Sequence, residues 1–259
     1  MELIYIVYSH SDFSDVLEVQ NDYFKDIKEE KILLIDKIDE SKNYNFDKIF
    51  FYDDYLNYTK RIYMCLENFN TDKYILFIHD IDILIEKSDE DIKNLLDIMK
   101  QNNIDRLDLK YINYQKFWNN DCYNNLKTNF PEKVIYYNND IEIMKNESTC
   151  YFIYNVNPAI HVYEKFRNIM REFDYSYRDV ELKIQQFALE NINTYVLYSK
   201  KKIGCRHFHL TDIIKYLHIT YFGKLVGLEC VPWCTGGYLE NSIKDHFLNI
   251  HEKYTFKNK

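Results

Sequence analysis

Tyr74-Ile75-Leu76-Phe77-Ile78-His79-Asp80-Ile81-Asp82 sets the terms for the rest of the chain. From Tyr74 to Ile78 every residue is apolar, β-branched or aromatic, the form of a strand covered on both faces. Two carboxylates follow at once, on alternate positions. Upstream the same form recurs at Leu3–Tyr8, Lys31–Ile35 and Lys48–Tyr52. Helical periodicity fills the intervals. Ser11 or Asp12 caps a helix to about Ile27, with Val16, Val19, Tyr23 and Ile27 on one face. Asp53 or Asp54 opens another through about Phe69, carrying Leu56, Tyr63 and Leu66 inward. Downstream, Ser88 and Asp91 form a capping box for a helix over Asp89–Gln101, whose apolar face is Ile92, Leu95, Leu96 and Met99. Strand and helix alternate through this part of the chain, which predicts an α/β fold: a mostly parallel sheet with helices on both faces.

The second part is less regular. Ile104–Tyr111 alternates Leu107, Leu109 and Tyr111 with Arg106, Asp108 and Lys110, the pattern of a half-exposed strand. Residues 113–139 are polar and aromatic, with Trp118 and Pro131. Tyr151–Tyr154 reads as a strand, and Asn157 caps a helix that has Pro158 at its first position. A further helix follows Arg178-Asp179, with Val180, Ile184, Phe187 and Ala188 inward. Thr194–Tyr198 and Ile203–Leu210 read as strands, and Thr211 or Asp212 starts a helix that Gly223 closes. With no internal repeat and no Pro/Gly/Ser linker, a single continuous domain is expected.

Composition narrows the function classes. The 259 residues carry a net charge of −8, which argues against non-specific nucleic-acid binding, since that needs a basic footprint to displace counterions. One diphosphate, by contrast, can be met by a single metal ion. No apolar run reaches the ~20 residues of a membrane span, and Leu3–Tyr8 is too short for a signal-peptide core. The expectation is a cytoplasmic protein. The 25 tyrosines and 17 phenylalanines accompany a general richness in Asn, Lys and Ile, so single tyrosines carry little weight as functional evidence. Six cysteines, none in a CxxC, are expected to be reduced thiols.

Ligands of parallel sheets bind beyond the carboxyl ends of the strands. Ser9, Asp53, Asp80 and Asp82 all fall at such ends. A strand that delivers two carboxylates to its exposed end offers hard oxygen donors to Mg2+ or Mn2+, and a nucleotide diphosphate supplies further oxygens. The metal would neutralise charge building on a departing diphosphate. The plainer reading of Asp80 and Asp82 is a solvent-facing pair or a cap. Asp53 would accept hydrogen bonds from a base or ribose, or cap its helix. Cys205, His207, His209, Cys230 and Cys234 depart from common zinc spacings, and a structural role for both histidines is the alternative. Trp118 and Trp233 are candidates for stacking on a sugar face or for the core.

With these elements in place the chain resembles the GT-A glycosyltransferases, most closely their small viral and family-2-like members. The resemblance rests on the strand ending in Tyr8-Ser9-His10-Ser11-Asp12, on Asn57, Lys60 and Arg61 in the helix before the acidic motif, on Asp80-Ile81-Asp82, and on Arg178-Asp179-Val180-Glu181-Leu182. It implies a Rossmann-like GT-A domain in which residues 1–110 hold a nucleotide-sugar and residues 111–259 the acceptor. Tyr8, Ser9, Asp53, Asn57, Lys60, Arg61 and Asp80 would line the donor site, with Asp80 and Asp82 on Mn2+ or Mg2+. His207 or His209 would complete the metal shell. Asp179, at an expected helix start, would be the base that activates an acceptor hydroxyl, with Glu181 the alternative. Arg178 stands where the family carries a glutamate. The implied reaction moves a sugar from a nucleotide diphosphate, UDP foremost, to a glycan or glycoprotein hydroxyl. Two other readings are kept: a HAD-like phosphohydrolase using Asp80 and Asp82, and a GT-A domain that binds nucleotide-sugar without transferring it. Against the first, none of the five glycines precedes an aspartate, so the second acidic loop of that class is missing.

Overall fold

A computed structural model describes residues 2–109, 127–137, 141–146, 153–156, 158–199, 208–210, 214–218, 220–221, 224–225 and 253. In chain order its strands are β1 (Leu3–Tyr8), β2 (Lys31–Ile35), β3 (Lys48–Phe51), β4 (Tyr74–His79), β5 (Asp82–Lys87), β6 (Arg106–Asp108), β7 (Val134–Tyr136), β8 (Ile141–Lys145), β9 (Ala159–Val162) and β10 (Thr194–Ser199). Four short ones follow, β11 (Phe208–Leu210), β12 (Ile214–His218), β13 (Thr220–Tyr221) and β14 (Lys224–Leu225). The helices are α1 (Ser14–Phe24), α2 (Tyr58–Leu66), α3 (Asp89–Gln101), α4 (Tyr163–Glu172), α5 (Tyr177–Lys183) and α6 (Gln185–Asn191).

Among the described residues one sheet of nine strands runs in the order β3-β2-β1-β4-β9-β6-β10-β8-β7. Its pairings make β3, β2, β1, β4, β6, β10 and β7 point one way and β9 and β8 the other. The fold is therefore α/β, a mixed and mostly parallel sheet flanked by helices in a single domain. Alternate residues of β1 go to opposite layers, as the two-residue period of a strand requires. Leu3, Tyr5 and Val7 pack with Leu17 and Phe24 of α1 and with Ile92, Leu95 and Met99 of α3. Ile4 and Ile6 pack with Ile62 and Leu66 of α2 and Phe166, Ile169 and Met170 of α4. Each such side chain contributes about 1.5–3 kcal/mol on full burial, so the central strands anchor both layers.

Helix α3 follows the sequence reading in both bounds. Ser88 Oγ accepts the Asp91 N–H at 3.2 Å, and Asp89, Glu90 and Asp91 sit where the helix dipole favours anions. It ends in a Schellman turn: Ile104 N–H reaches Met99 O at 2.8 Å while Asn103, at φ 51°, takes the left-handed position.

Elsewhere tertiary context changed the outcome. The helix expected from Ser11 or Asp12 begins as a 3₁₀ turn, Ser11–Phe13, capped by His10 Nδ1, which accepts the Asp12 N–H. The helix after β3 starts at Tyr58 rather than at Asp53 or Asp54, because Asp54 is drawn into a turn by Arg61. β6 is not half exposed. It lies inside the sheet, and Arg106 and Asp108 are fully buried because they bond each other and Asn155. Of the expected strand Tyr151–Tyr154, the described residues Ile153 and Tyr154 lie in a bend, and Ala159–Val162, expected to open a helix after Pro158, is a strand. That strand fills the gap between β4 and β6, and its helix starts only at Tyr163. The helix after Arg178 is two short ones that meet at Ile184. Residues 214–218, within the expected last helix, are strand β12, paired antiparallel with β5. Among the described residues no helix is long and apolar enough to cross a membrane.

Candidate active site

The chain leaves β1 toward β2 and β3 on one side and returns as β4 on the other, so its path reverses between β1 and β4. A crevice opens at such a point beyond the carboxyl ends of the two strands. Ser9 follows β1 and Asp80 follows β4. Parallel pairing sets Tyr8 beside His79, and the Asp80 N–H then donates to Tyr8 O at 3.0 Å. Ser9 Oγ in turn donates to Asp80 Oδ2 at 2.6 Å. All three polar residues are nearly inaccessible: Ser9 is 2% exposed, Asp80 6% and Asp82 4%. Burial, aided by the Asp82 charge, pushes the Asp80 carboxyl up to about 7, against the opposing pull of Ser9 and of the Ile81 N–H.

An aromatic wall stands beside the pair. Tyr8 stacks on Tyr52 (centroids 5.4 Å apart, 9° between planes), and the Tyr52 hydroxyl donates to Ser9 O at 2.6 Å. Tyr58 and His79 stack on each other, with Tyr58 Oη and His79 Nε2 3.0 Å apart, and Tyr177 stands perpendicular to both. Arg61 closes the far side. Its guanidinium lies over Tyr52, donates to Tyr8 Oη at 3.3 Å and pairs with Asp54 at 2.7 Å. Its Nε donates to Leu56 O at 2.7 Å as well, so Arg61 is held at the edge of the crevice by Tyr8, Tyr52, Asp54 and Leu56. Tyr52, Tyr58 and Tyr177 escaped the sequence reading because tyrosine is so frequent in this chain that no single one stood out, and His79 was read only as the end of its strand.

The remaining candidates divide. Asp53 is exposed beyond β3 and accepts from Tyr55 Oη at 3.1 Å. Asn57 occupies the N-cap position of α2 without capping through its side chain, and donates to Asp174 at 3.0 Å. Lys60 turns to Arg171 O at 2.6 Å, in the last turn of α4. Asp179 lies in the first turn of α5, whose cap is Ser176. The Ser176 hydroxyl accepts the Asp179 N–H at 3.2 Å and donates to its carboxylate at 2.8 Å. That bond, then Lys183 at 3.0 Å, holds the Asp179 carboxyl below its ordinary value. Glu181 faces inward and accepts the Val156 N–H at 2.9 Å. Glu181 stands one helical turn beyond Tyr177 on α5, whereas the Asp179 carboxylate is occupied by Ser176 and Lys183.

Two adjacent buried carboxylates and a hydroxyl form a donor set of hard oxygens suited to Mg2+ or Mn2+. An anion whose pKa burial has raised is one that a cation would favour. Among the described residues no group of three or more His, Cys, Asp or Glu side chains is arranged to hold a metal. His207 lies outside the described residues, as do Cys205, Cys230, Cys234, Trp118 and Trp233. His209 stands on β11, which pairs with β12 and not with β5. In the β5–β12 ladder the residue opposite Asp82 is His218. Sequence reading passed over His218 because residues 211–223 read as a helix. No protein-family model and no curated protein matches the chain.

Proposed function

We propose that the chain is a metal-dependent glycosyltransferase of the GT-A type, taking a sugar from a UDP-sugar to a hydroxyl of a glycan or glycoprotein. The observation that carries this reading is the buried Ser9–Asp80 bond, with Asp82 beside it, at the point where the sheet reverses its strand order. Asp80 and Asp82 would hold Mn2+ or Mg2+, with His218 the histidine that ladder register favours as a third ligand. The cation supplies neutralisation of the charge that grows on the leaving diphosphate. Ser9 orients the Asp80 carboxylate, and Arg61 offers a fixed positive charge at the crevice edge. Glu181 is the better placed base, since it lies one helical turn beyond Tyr177, whose ring packs on the His79 that precedes Asp80, while Asp179 is engaged by Ser176 and Lys183; a base there takes the acceptor proton as the sugar is attacked.

The test is calorimetric titration with UDP, with and without Mn2+, followed by UDP-release assays over a panel of UDP-sugars. Mn2+-dependent UDP binding that Asp82→Asn abolishes is the expected result. UDP binding and turnover left unchanged by EDTA would sink the reading.

A further inference from the structure

Tyr177 is unusual among the aromatics around the crevice. It is 48% exposed, although Tyr58 and His79 behind it are buried. Its ring centroid lies 5.3 Å from that of Tyr58 at 89°, and 5.4 Å from that of His79 at 82°. Those two rings are themselves parallel and joined by the Oη–Nε2 hydrogen bond of 3.0 Å. A half-exposed tyrosine would ordinarily sweep through rotamers. This one starts a helix, at the first position after the Ser176 cap, and is supported from behind by two fixed rings. Its orientation is thus set before any ligand arrives, which removes most of the ordering cost of contact. Chemically it sets a half-exposed ring between two acidic neighbourhoods: Glu181 stands one helical turn further along α5, and Asp80 follows directly on His79, against which the Tyr177 ring packs.

A pyranose ring has matching properties: one patch of C–H groups that packs on an aromatic surface, ringed by hydroxyls that carboxylates and phenols can hydrogen-bond. We propose that Tyr177 is the platform for the transferred sugar, holding it between the Asp80–Asp82 pair, which binds the diphosphate, and Glu181. The inference rests on the transferase reading and names a specificity-determining contact within it. A purely packing role predicts something different: loss of Tyr177 would then lower stability and leave selectivity between ligands untouched.

The experiment compares Tyr177→Phe, Tyr177→Leu and Tyr177→Ala with the wild type. Affinity is measured for UDP with Mn2+ and for UDP-glucose, UDP-galactose and UDP-N-acetylglucosamine with Mn2+, and urea midpoints are recorded. Tyr177→Phe should keep most of the preference of the best UDP-sugar over UDP. Tyr177→Ala and Tyr177→Leu should weaken that UDP-sugar about ten- to hundred-fold, the scale of one lost aromatic contact. UDP affinity should stay within about twofold, since the base and diphosphate do not touch Tyr177 in this arrangement. An unchanged UDP-sugar to UDP ratio in Tyr177→Ala overturns the platform. Failure of the wild type to bind UDP with Mn2+ overturns the transferase reading and this inference together, and is distinguished from the other outcomes by the UDP titration alone.

Discussion

Ser9 and Asp80 are 71 positions apart in sequence and 2.6 Å apart in space, and no local pattern announces their bond. What the sequence did carry was each residue's address: both sit just past a strand, where polar groups gather around a ligand. The same reasoning placed Asp179 and Glu181 together, with Asp179 the expected base and Glu181 the alternative. Position in a helix start is readable from Ser176 and the residues after it, yet the direction of a side chain depends on the neighbours it meets. Asp179 meets Ser176 and Lys183; Glu181 meets the Val156 N–H. Glu181→Gln should therefore lower kcat by about 10²–10⁴-fold, the usual cost of a lost general base, while UDP binding changes little. Asp179→Asn keeps an oxygen for the Ser176 hydroxyl and should leave turnover within about threefold, with a small change in urea midpoint. Steady-state kinetics on both variants decides the matter: a full loss in Asp179→Asn with an active Glu181→Gln would reverse the assignment.

Elements were legible where one period ran unopposed. β1, β2, β4 and α3 are such cases, the last with both caps encoded in Ser88 and Asn103. Two strands were hidden for opposite reasons. β9 follows Pro158, a residue that welcomes a helix start, but its Ala159-Ile160-His161-Val162 run is what the space between β4 and β6 demands. β12 looks amphipathic at either period, and only the partner β5 makes it a strand. Its ladder has a consequence for the candidate metal centre. His218 pairs with Asp82, while His209 is one strand further away. His218→Ala should raise the Mn2+ concentration needed for half-maximal turnover by about tenfold or more, with His209→Ala close to wild type. Manganese titrations of the two variants, read by UDP release, check this; a His209→Ala effect larger than that of His218→Ala would contradict the ladder.

At the scale of the whole molecule, one cluster of buried charge lies inside the sheet around Arg106. Arg106 is fully buried over the Tyr154 ring, bonded to Asn155 and Asp108, and His161 lies opposite it on β9. The period-2 reading of residues 104–111 took this polar face for a wet one. Asp108 is a local partner, but Asn155 and β9 lie far along the chain, and the sequence near Arg106 held no sign of them. Burial first, and then the Arg106 charge, keep His161 neutral and its pKa well below the ordinary 6.5. The unfolded chain binds a proton at His161 near pH 6.5 and the folded one does not. The contribution is thus fully present above that pH and lost as pH falls below it, by at most about 1.4 kcal/mol per pH unit. Urea midpoints at pH 7.5 and 5.0 should therefore differ by more in the wild type than in His161→Gln. An equal difference in both would remove His161 from the acid response.

β9 also has a meaning for the order in which the protein is made. β3, β2, β1 and β4 are all synthesised early and can pair as soon as they leave the ribosome. The open flank of β4 must then wait for residues 159–162, which emerge only after roughly eighty more have been added, about 4–16 s at usual elongation rates. Through that interval Ile75, Leu76 and Phe77 present unpaired backbone in an apolar strand, the condition under which nascent chains of neighbouring ribosomes stick to one another. Translation in a heterologous host should accordingly reward a slower initiation rate or a bound holdase more than a slower temperature ramp after synthesis, because the exposed flank belongs to the growing chain and not to the finished one.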